Sequence, residues 1–524
     1  MKQFLSIRTA LVALSIFFIS CSPDYDLVIE DGIIYDGLGG APYIANIAVK
    51  DGKIVKIGDF KADGLNVIDA KGFMVSPGFI DIHTHIDRGI VKPEGSSVQN
   101  YLTQGVTTVV TGNCGSGTWK VTNYFNRLDS IGIGPNVIHL VGHGTIRRSV
   151  MGQEDREPTA EELAEMKSLI AQGMQEGALG LSSGLFYAPG SFAKTEEVVD
   201  LARTVKEYQG IYASHIRDES NYTTGLVASI EEAIEIGEKA GVPVEISHIK
   251  ALGVPVWGLA EEVCNIIEAA QERGVKVMAD QYPYVASSTS LSAAVIPRWV
   301  QEGGKMKERL QDPDLLERIK KEAGENIIRR GGPESLLIVS YKPNHEYDGL
   351  SLAEISVLMD KPAVETAITL VLEASPSIVS FNMNKDDLAY FMKKDYVMTS
   401  SDGSVQIMGS GVPHPRSYGT FPHKIKKYVL EDSLISMEAA IRAATSLPAQ
   451  MLGLTDRGQI REGNVADIVI FNARTISDKA TFNDPHQYSE GIEYLLLHGE
   501  IVIEDEVYNN KLVGRTLRMN EYKN

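Results

Sequence analysis

Gly78-Phe79-Ile80-Asp81-Ile82-His83-Thr84-His85 joins an apolar, strand-like run to an acid and two histidines. Residues two apart on a strand project from one face, so His83 and His85 share a side. On the crowded inner face of a parallel strand two imidazoles need partners. A metal supplies them, and so does a hydrogen-bonded core network; at this point both readings stand.

Downstream, apolar strand candidates alternate with longer helical patterns, near 79–83, 106–110, 137–141, 177–181, 211–215, 244–248, 275–279 and 396–400. Thr159 with Glu162 predicts a capping box ahead of Leu163, Met166 and Leu169. Val227, Ile230 and Ile234 form another stripe, stopped at Gly241-Val242-Pro243. Eight strands with crossover helices fit an α/β fold of the (β/α)8 TIM-like barrel type, over residues 76–429. A doubly wound open sheet competes, but no Gly-rich phosphate loop follows the first strand. The stretch from about 283 to 395 is too long for one crossover, which predicts a small inserted subdomain around 290–345. Both ends are β-rich. Asp31-Gly32 and Asp51-Gly52 separate strand-type runs as hairpin signals, and Ala466–Phe471, Tyr494–Leu497 and Ile501–Ile503 continue the pattern. Residues 25–75 and 430–515 are therefore expected to form one small β-sandwich.

With 524 residues, 43% hydrophobic and 23% charged, the composition excludes disordered and fibrous classes. A formal charge of -19 argues against a nucleic-acid partner, because no basic excess exists to neutralise phosphates. Lys2 and Arg8 precede an apolar run from Ala10 to Ile19, then Ser20-Cys21 and a polar stretch. Residues 1–21 thus read as a signal peptide with a lipobox cysteine, too short and asymmetric for a membrane span. That predicts an exported, membrane-anchored bacterial lipoprotein, periplasmic or facing the cell surface. A soluble periplasmic protein and an uncleaved N-terminal helix are the other readings. Cys264 falls beside the apolar stripe of an amphipathic helix and reads as core.

Polar groups gather at the C-terminal strand ends, where barrel enzymes place their chemistry. Cys114 stands between Gly112 and Gly115 after the second strand; His215 ends the fifth and His248 the sixth. A thiolate and two imidazoles with an open fourth position suit catalytic zinc. Asp402, before Gly403 at the end of the eighth strand, can exchange a proton with a water at that metal; by itself it also reads as a turn residue. Arg416, in the proline-bracketed loop Pro413-His414-Pro415-Arg416, can pair with a substrate carboxylate. Taken alone, Tyr187 is an ordinary tyrosine. His143, in Gly142-His143-Gly144, either touches substrate or braces a ligand.

The set Gly78–His85, Gly112-Asn113-Cys114-Gly115, Ser214-His215-Ile216-Arg217, Ser247-His248-Ile249-Lys250, Ser401-Asp402-Gly403 and Pro413–Pro422 resembles the N-acyl-D-amino-acid deacylase (D-aminoacylase) family of the amidohydrolase superfamily. The resemblance spans essentially the whole mature chain. It implies that Cys114, His215 and His248 hold one tight Zn2+, and that His83 and His85, with Cys114 and Asp402, outline a second, weaker metal position. It implies Asp402 as general acid/base, Tyr187, Lys250 and Arg416 as receivers of the substrate carboxylate, and Ser287 as pocket lining. The implied partner is a small N-acylated D-amino acid. Related amidohydrolases that open cyclic imides or cleave dipeptides with a D-residue are the alternative, and a solute-binding lipoprotein is a distant one.

Overall fold

The computed structural model describes residues 24–61 and 64–522; the expected export segment, residues 1–21, lies outside them. The first strands are Tyr25–Ile34 (β1), Tyr43–Lys50 (β2), Lys53–Gly58 (β3), Gly64–Asp69 (β4) and Met74–Pro77 (β5). Next come Phe79–Asp81 (β6), Val106–Thr111 (β7), Asn136–His139 (β8) and Val141–Gly142 (β9). Gly180–Gly184 (β10), Ile211–His215 (β11), Val244–Ile246 (β12) and Val277–Gln281 (β13) follow. Ser287–Ser290 (β14), Leu336–Ser340 (β15) and Ser377–Ser380 (β16) intervene before Val397–Thr399 (β17). The last group is Ile468–Phe471 (β18), Ile492–Leu497 (β19), Glu500–Glu504 (β20) and Val507–Tyr508 (β21).

Strands β6–β7–β8 pair in parallel, as do β9–β10–β11–β12–β13–β17. Leu140 alone separates β8 from β9, and its N–H donates to the Thr111 carbonyl at 2.9 Å. At the other end Thr84 bridges Gly403 in parallel, and the His85 N–H donates to the Gly403 carbonyl at 2.7 Å. Neighbouring strands thus run from β6 to β17 and back to β6, with their C-terminal ends together. Every residue of β7, β10, β11 and β12 is buried, the pattern of parallel strands covered on both faces.

Between the strands, helix Ala160–Gln175 carries the Thr159–Glu162 capping box, and Leu226–Ala240 ends at Gly241 in the left-handed region (φ 71°). Cys264 is fully buried. Two strands start later than the sequence suggests, at 180 and 277, because the turns closing the preceding helices take up Gly177 (φ 106°) and Gly274 (φ 89°). Among the described residues no helix is long and apolar enough to cross a membrane.

The chain ends do meet, but differently from the expected 25–75 plus 430–515. In its pairing the β unit is one nine-stranded sheet, ordered β21-β20-β19-β18-β5-β1-β2-β3 with β4 beside β1. Leu27, Ile29, Ile47, Ile68, Ile468, Ile470 and Leu496 form its core. Its C-terminal part begins at Ile468. The helices Met437–Ala444 and Ser446–Leu452 pack instead against β6 and β17. Asp51-Gly52 makes the β2–β3 hairpin with both residues at positive φ (50° and 73°). Asp31-Gly32 does not turn the chain. It is a bulge within β1, where a Cβ on Gly32 would stand 2.5 Å from Val75 Cγ2 and the strand runs on to pair with β5.

The insertion is longer than 290–345. Its three antiparallel strands β14–β16–β15 reach from Ser287 to Ser380, around a separate core including Leu291, Val295, Ile319, Ile338, Leu352 and Ile378. The long helix Pro313–Arg329 and helix Ala363–Glu373 both contribute to that core, so the segment after 345 belongs to the same unit.

Candidate metal centre

Six candidate ligands from five strand ends converge. Cys114 Sγ lies 3.5 Å from His83 Nε2, 3.5 Å from His215 Nδ1 and 3.6 Å from His248 Nε2. One donor atom each from Cys114, His215 and His248 falls within 4.8 Å of the others, as do those of His83, His85 and Cys114, and of His83, His248 and Asp402. Asp402 Oδ1 is 3.1 Å from His85 Nε2 and 3.7 Å from His83 Nε2. The His83 side chain is fully buried, whereas that of His85 is 33% exposed, so the second position is the more open. Cys114 (φ 52°), His248 (φ 39°) and Asp402 (φ 48°) all occupy the left-handed region, which non-glycine residues seldom adopt and which bends each strand end inward.

A carboxylate and lysine support the histidines from behind. Glu219 Oε1 is 3.1 Å from His248 Nδ1 and contacts Lys250 Nζ, which lies 2.7 Å from the same ring nitrogen. Burial works against ionising Glu219, but Lys250, His215 and His248 outweigh it and hold the carboxyl well below the usual range. Under His83, Asp280 Oδ2 stands 3.4 Å from Nδ1, and Ser400 donates to the other carboxylate oxygen. Glu245 is pushed well up by burial and by Asp280, so it keeps the proton of that pair. Asp81 accepts from the backbone N–H groups of His83 (3.2 Å) and Ser401 (3.0 Å), and burial raises it to about 7. It ties β6 to the residues after β17.

These groups open into a cavity of about 510 Å³ lined by Cys114, His215, His248, His85 and Asp402, and by Tyr187, Lys250, Ser287 and Arg416. The Tyr187 hydroxyl is 3.1 Å from Thr289 Oγ1, and its ring centroid is 4.7 Å from that of His215. Ser287 Oγ and the Asn382 side-chain amide are 3.0 Å apart. Arg416 Nη1 lies 2.8 Å from Asp402 Oδ2, with the guanidinium over the Tyr282 ring. Burial alone would raise Asp402; Arg416, His248 and His85 overcome it and keep the carboxylate ionised.

His143 is the exception. It does not line the cavity: its Nε2 lies 2.9 Å from Glu197 Oε1, which also accepts from Arg147 Nε at 3.1 Å. This buried network ties the ring behind the wall, so the substrate-contact option falls. Glu219, Asp280, Arg88 and Arg148 escape the sequence reading. Glu219 alone carried a usable cue, an acid four residues after a strand-terminal histidine.

The donor set suits a metal on its own chemistry. Burial, Asp402 and Glu219 all push the Cys114 thiol up, so a cation is what would hold it as thiolate among three imidazoles. One sulfur with two imidazole nitrogens is a zinc-type set with room for a further ligand.

Residues 66–317 and 391–503 match the amidohydrolase family, to which the chain therefore belongs. The chain is 33% identical to D-aminoacylase of Alcaligenes xylosoxydans xylosoxydans over 523 residues, covering 95% of this chain and 98% of the relative. A solved D-aminoacylase, studied for its binuclear metal center with one-metal activation and second-metal attenuation, superposes with a TM-score of 0.80. It is 30% identical, over 94% of this chain and 100% of that one. N-acyl-D-glutamate deacylase from Bordetella bronchiseptica, complexed with zinc and a phosphonate mimic of the tetrahedral intermediate, also gives 0.80, at 31% identity over 94% and 99%.

Proposed function

We propose that this protein is a zinc-dependent deacylase that hydrolyses N-acyl-D-amino acids to a carboxylate and a free D-amino acid. One observation carries the reading: Cys114 Sγ sits within 3.6 Å of three imidazole nitrogens, in the cavity that the Asp402–Arg416 pair also lines. The D preference rests on the similarity to D-aminoacylase and N-acyl-D-glutamate deacylase. In this reading the ring of parallel strands is a (β/α)8 barrel, with the β unit of both chain ends beside it and residues 287–380 as a subdomain at the cavity mouth.

Cys114, His215 and His248 would hold the tight zinc, and His83, His85 and Asp402 the weaker second ion. When bound there, zinc would supply a Lewis acid to polarise the acyl carbonyl and to lower the pKa of a water molecule. Asp402, kept ionised by Arg416, would take a proton from the attacking water as its oxygen bonds to the acyl carbon, and deliver it to the amide nitrogen as the C–N bond breaks. Lys250, Tyr187 and Arg416 hold the α-carboxylate, and Ser287 bounds the pocket. Handedness follows from three fixed points around the α-carbon: amide, carboxylate and side-chain wall.

Paired D- and L-N-acetyl derivatives of Leu, Met, Phe, Asp and Glu, assayed with zinc content measured alongside, test the reading. Turnover of the D series is expected; equal or better kcat/KM for the L series overturns the stereochemical assignment.

The lipobox-like Ser20-Cys21 supports a lipid-anchored, exported location, with a soluble periplasmic form as the alternative. Cys21→Ala should release the protein from membranes. Recovery of soluble cytoplasmic enzyme still bearing residues 1–21 would remove the anchor.

A further inference from the structure

Two cations at the cavity take no part in that chemistry. Arg88, in the short helix Asp87–Ile90 after β6, and Arg148, in helix His143–Met151 after β9, both line it. Of the other cations there, Lys250 pairs with Glu219 and Arg416 with Asp402, while the buried Arg330 is held by the neutral Tyr222 hydroxyl at 2.6 Å. Arg148 only donates to the Ala188 carbonyl at 3.1 Å, and neither arginine pairs with a carboxylate among the described residues. Both are exposed residues at the edge of the cavity, where partial burial and the neighbouring Arg88 charge make Arg148 a weaker base than a free arginine. Two guanidiniums lining one cavity without a carboxylate partner among the described residues, in a protein of net charge -19, are a ready-made field for an anion.

Their place in the ring says which part of a substrate they meet. Arg88 follows the first strand and Arg148 the third, bracketing Cys114 after the second. Lys250 follows the sixth strand, which in a ring of eight faces the second. The wall between Cys114 and Arg148 is bare: Gly115, Ser116 and Gly144 line it, and a Cβ on Gly144 would stand 3.1 Å from the Gly115 carbonyl oxygen. A substrate held by its α-carboxylate at Lys250 therefore points its acyl chain over these glycines toward the two arginines.

We infer that Arg88 and Arg148 form an acyl-group subsite for an anion, so that the preferred N-acyl group ends in a carboxylate, as in the half-amide of a dicarboxylic acid. The inference rests on the deacylase reading. The test uses the zinc-loaded full chain and the D-amino acid it turns over best, as its N-succinyl derivative and as the isosteric N-succinamyl derivative. The succinyl compound should win in kcat/KM by at least about tenfold, the scale of hydrogen bonds to a charged group. That ratio should shrink at high salt and fall to within about twofold in R88Q/R148Q, as expected if the charge-assisted contacts are lost. A wild-type ratio near one, or a preference that R88Q/R148Q retains, overturns the subsite alone. No turnover of any N-acyl amino acid, of either hand, overturns it together with the deacylase reading.

Discussion

Arg416 Nη1 stands 2.8 Å from Asp402 Oδ2, so the cation proposed to meet the substrate carboxylate also holds the carboxylate proposed to move the proton. Substrate arrival must then divide one guanidinium between two anions. Arg416→Gln is expected to lower kcat/KM for an N-acetyl amino acid by about a hundredfold, and much less for its α-carboxamide. Asp402 acts as a base only when ionised, and Arg416 favours that form. Losing the cation raises the Asp402 pKa, so the acid limb of kcat/KM should move to higher pH. A full pH profile of both enzymes checks the sign; an unmoved limb separates the two roles.

Asp402→Asn keeps the side-chain shape but cannot accept the proton. Zinc should stay at wild-type stoichiometry, as expected if Cys114, His215 and His248 hold it, while kcat drops by about 10²–10⁴-fold. Metal analysis beside steady-state kinetics reads both. Near-normal turnover in a zinc-replete variant would assign the proton to another group.

Much of this site is legible in the sequence because parallel strands announce their ends. Apolar runs stop at Cys114, His215, His248 and Asp402, and side chains there share one face of the ring. His248 and Asp402 are of types that tolerate the left-handed region, which permits that conformation without predicting it; at Cys114 it is not legible, since cysteine does not favour it. Nor is the Arg416–Asp402 pair, which depends on how the loop after β17 folds back. Asp31-Gly32 shows the limit of a two-residue signal. The same dipeptide makes a hairpin at Asp51-Gly52 and a bulge in β1, and tertiary pairing with β5 decides which. The insertion outruns its expected end because its last strand, β16, pairs with β14 about 90 residues earlier in sequence (Ser380 opposite Ser287).

Glu219 should behave as a positioning residue for the metal. Its contacts to His248 and Lys250 hold the imidazole in place while neutralising the lysine. Glu219→Gln is expected to weaken zinc binding by about 10–100-fold, as loss of such outer partners does elsewhere. Competition with a chelator measures it without reference to turnover. Unchanged affinity in a variant with normal circular dichroism would reduce Glu219 to a partner of Lys250 only.

Lys424 offers a stability test remote from the metal. Its Nζ donates to Thr399 Oγ1 at 2.8 Å, among Phe79, Phe421, Ile425 and Ile441, and burial pulls its pKa down to about 7. In the unfolded chain the same amine titrates near 10.4, as model lysines do. Between about pH 7 and 10.4 the unfolded state therefore binds a proton that the folded state lacks, and stability rises with pH. Below pH 7 the folded protein carries the full cost of a buried charge. Lys424→Met removes that cost and keeps the volume. The variant should be more stable than wild type at pH 6 by about 1–4 kcal/mol, from the size of the shift. Toward pH 9 the difference should narrow, because the wild-type amine is then neutral in the fold and the variant has lost the Thr399 hydrogen bond. Denaturant unfolding at the two pH values decides it: a gap independent of pH would mean that Lys424 is charged inside the folded protein.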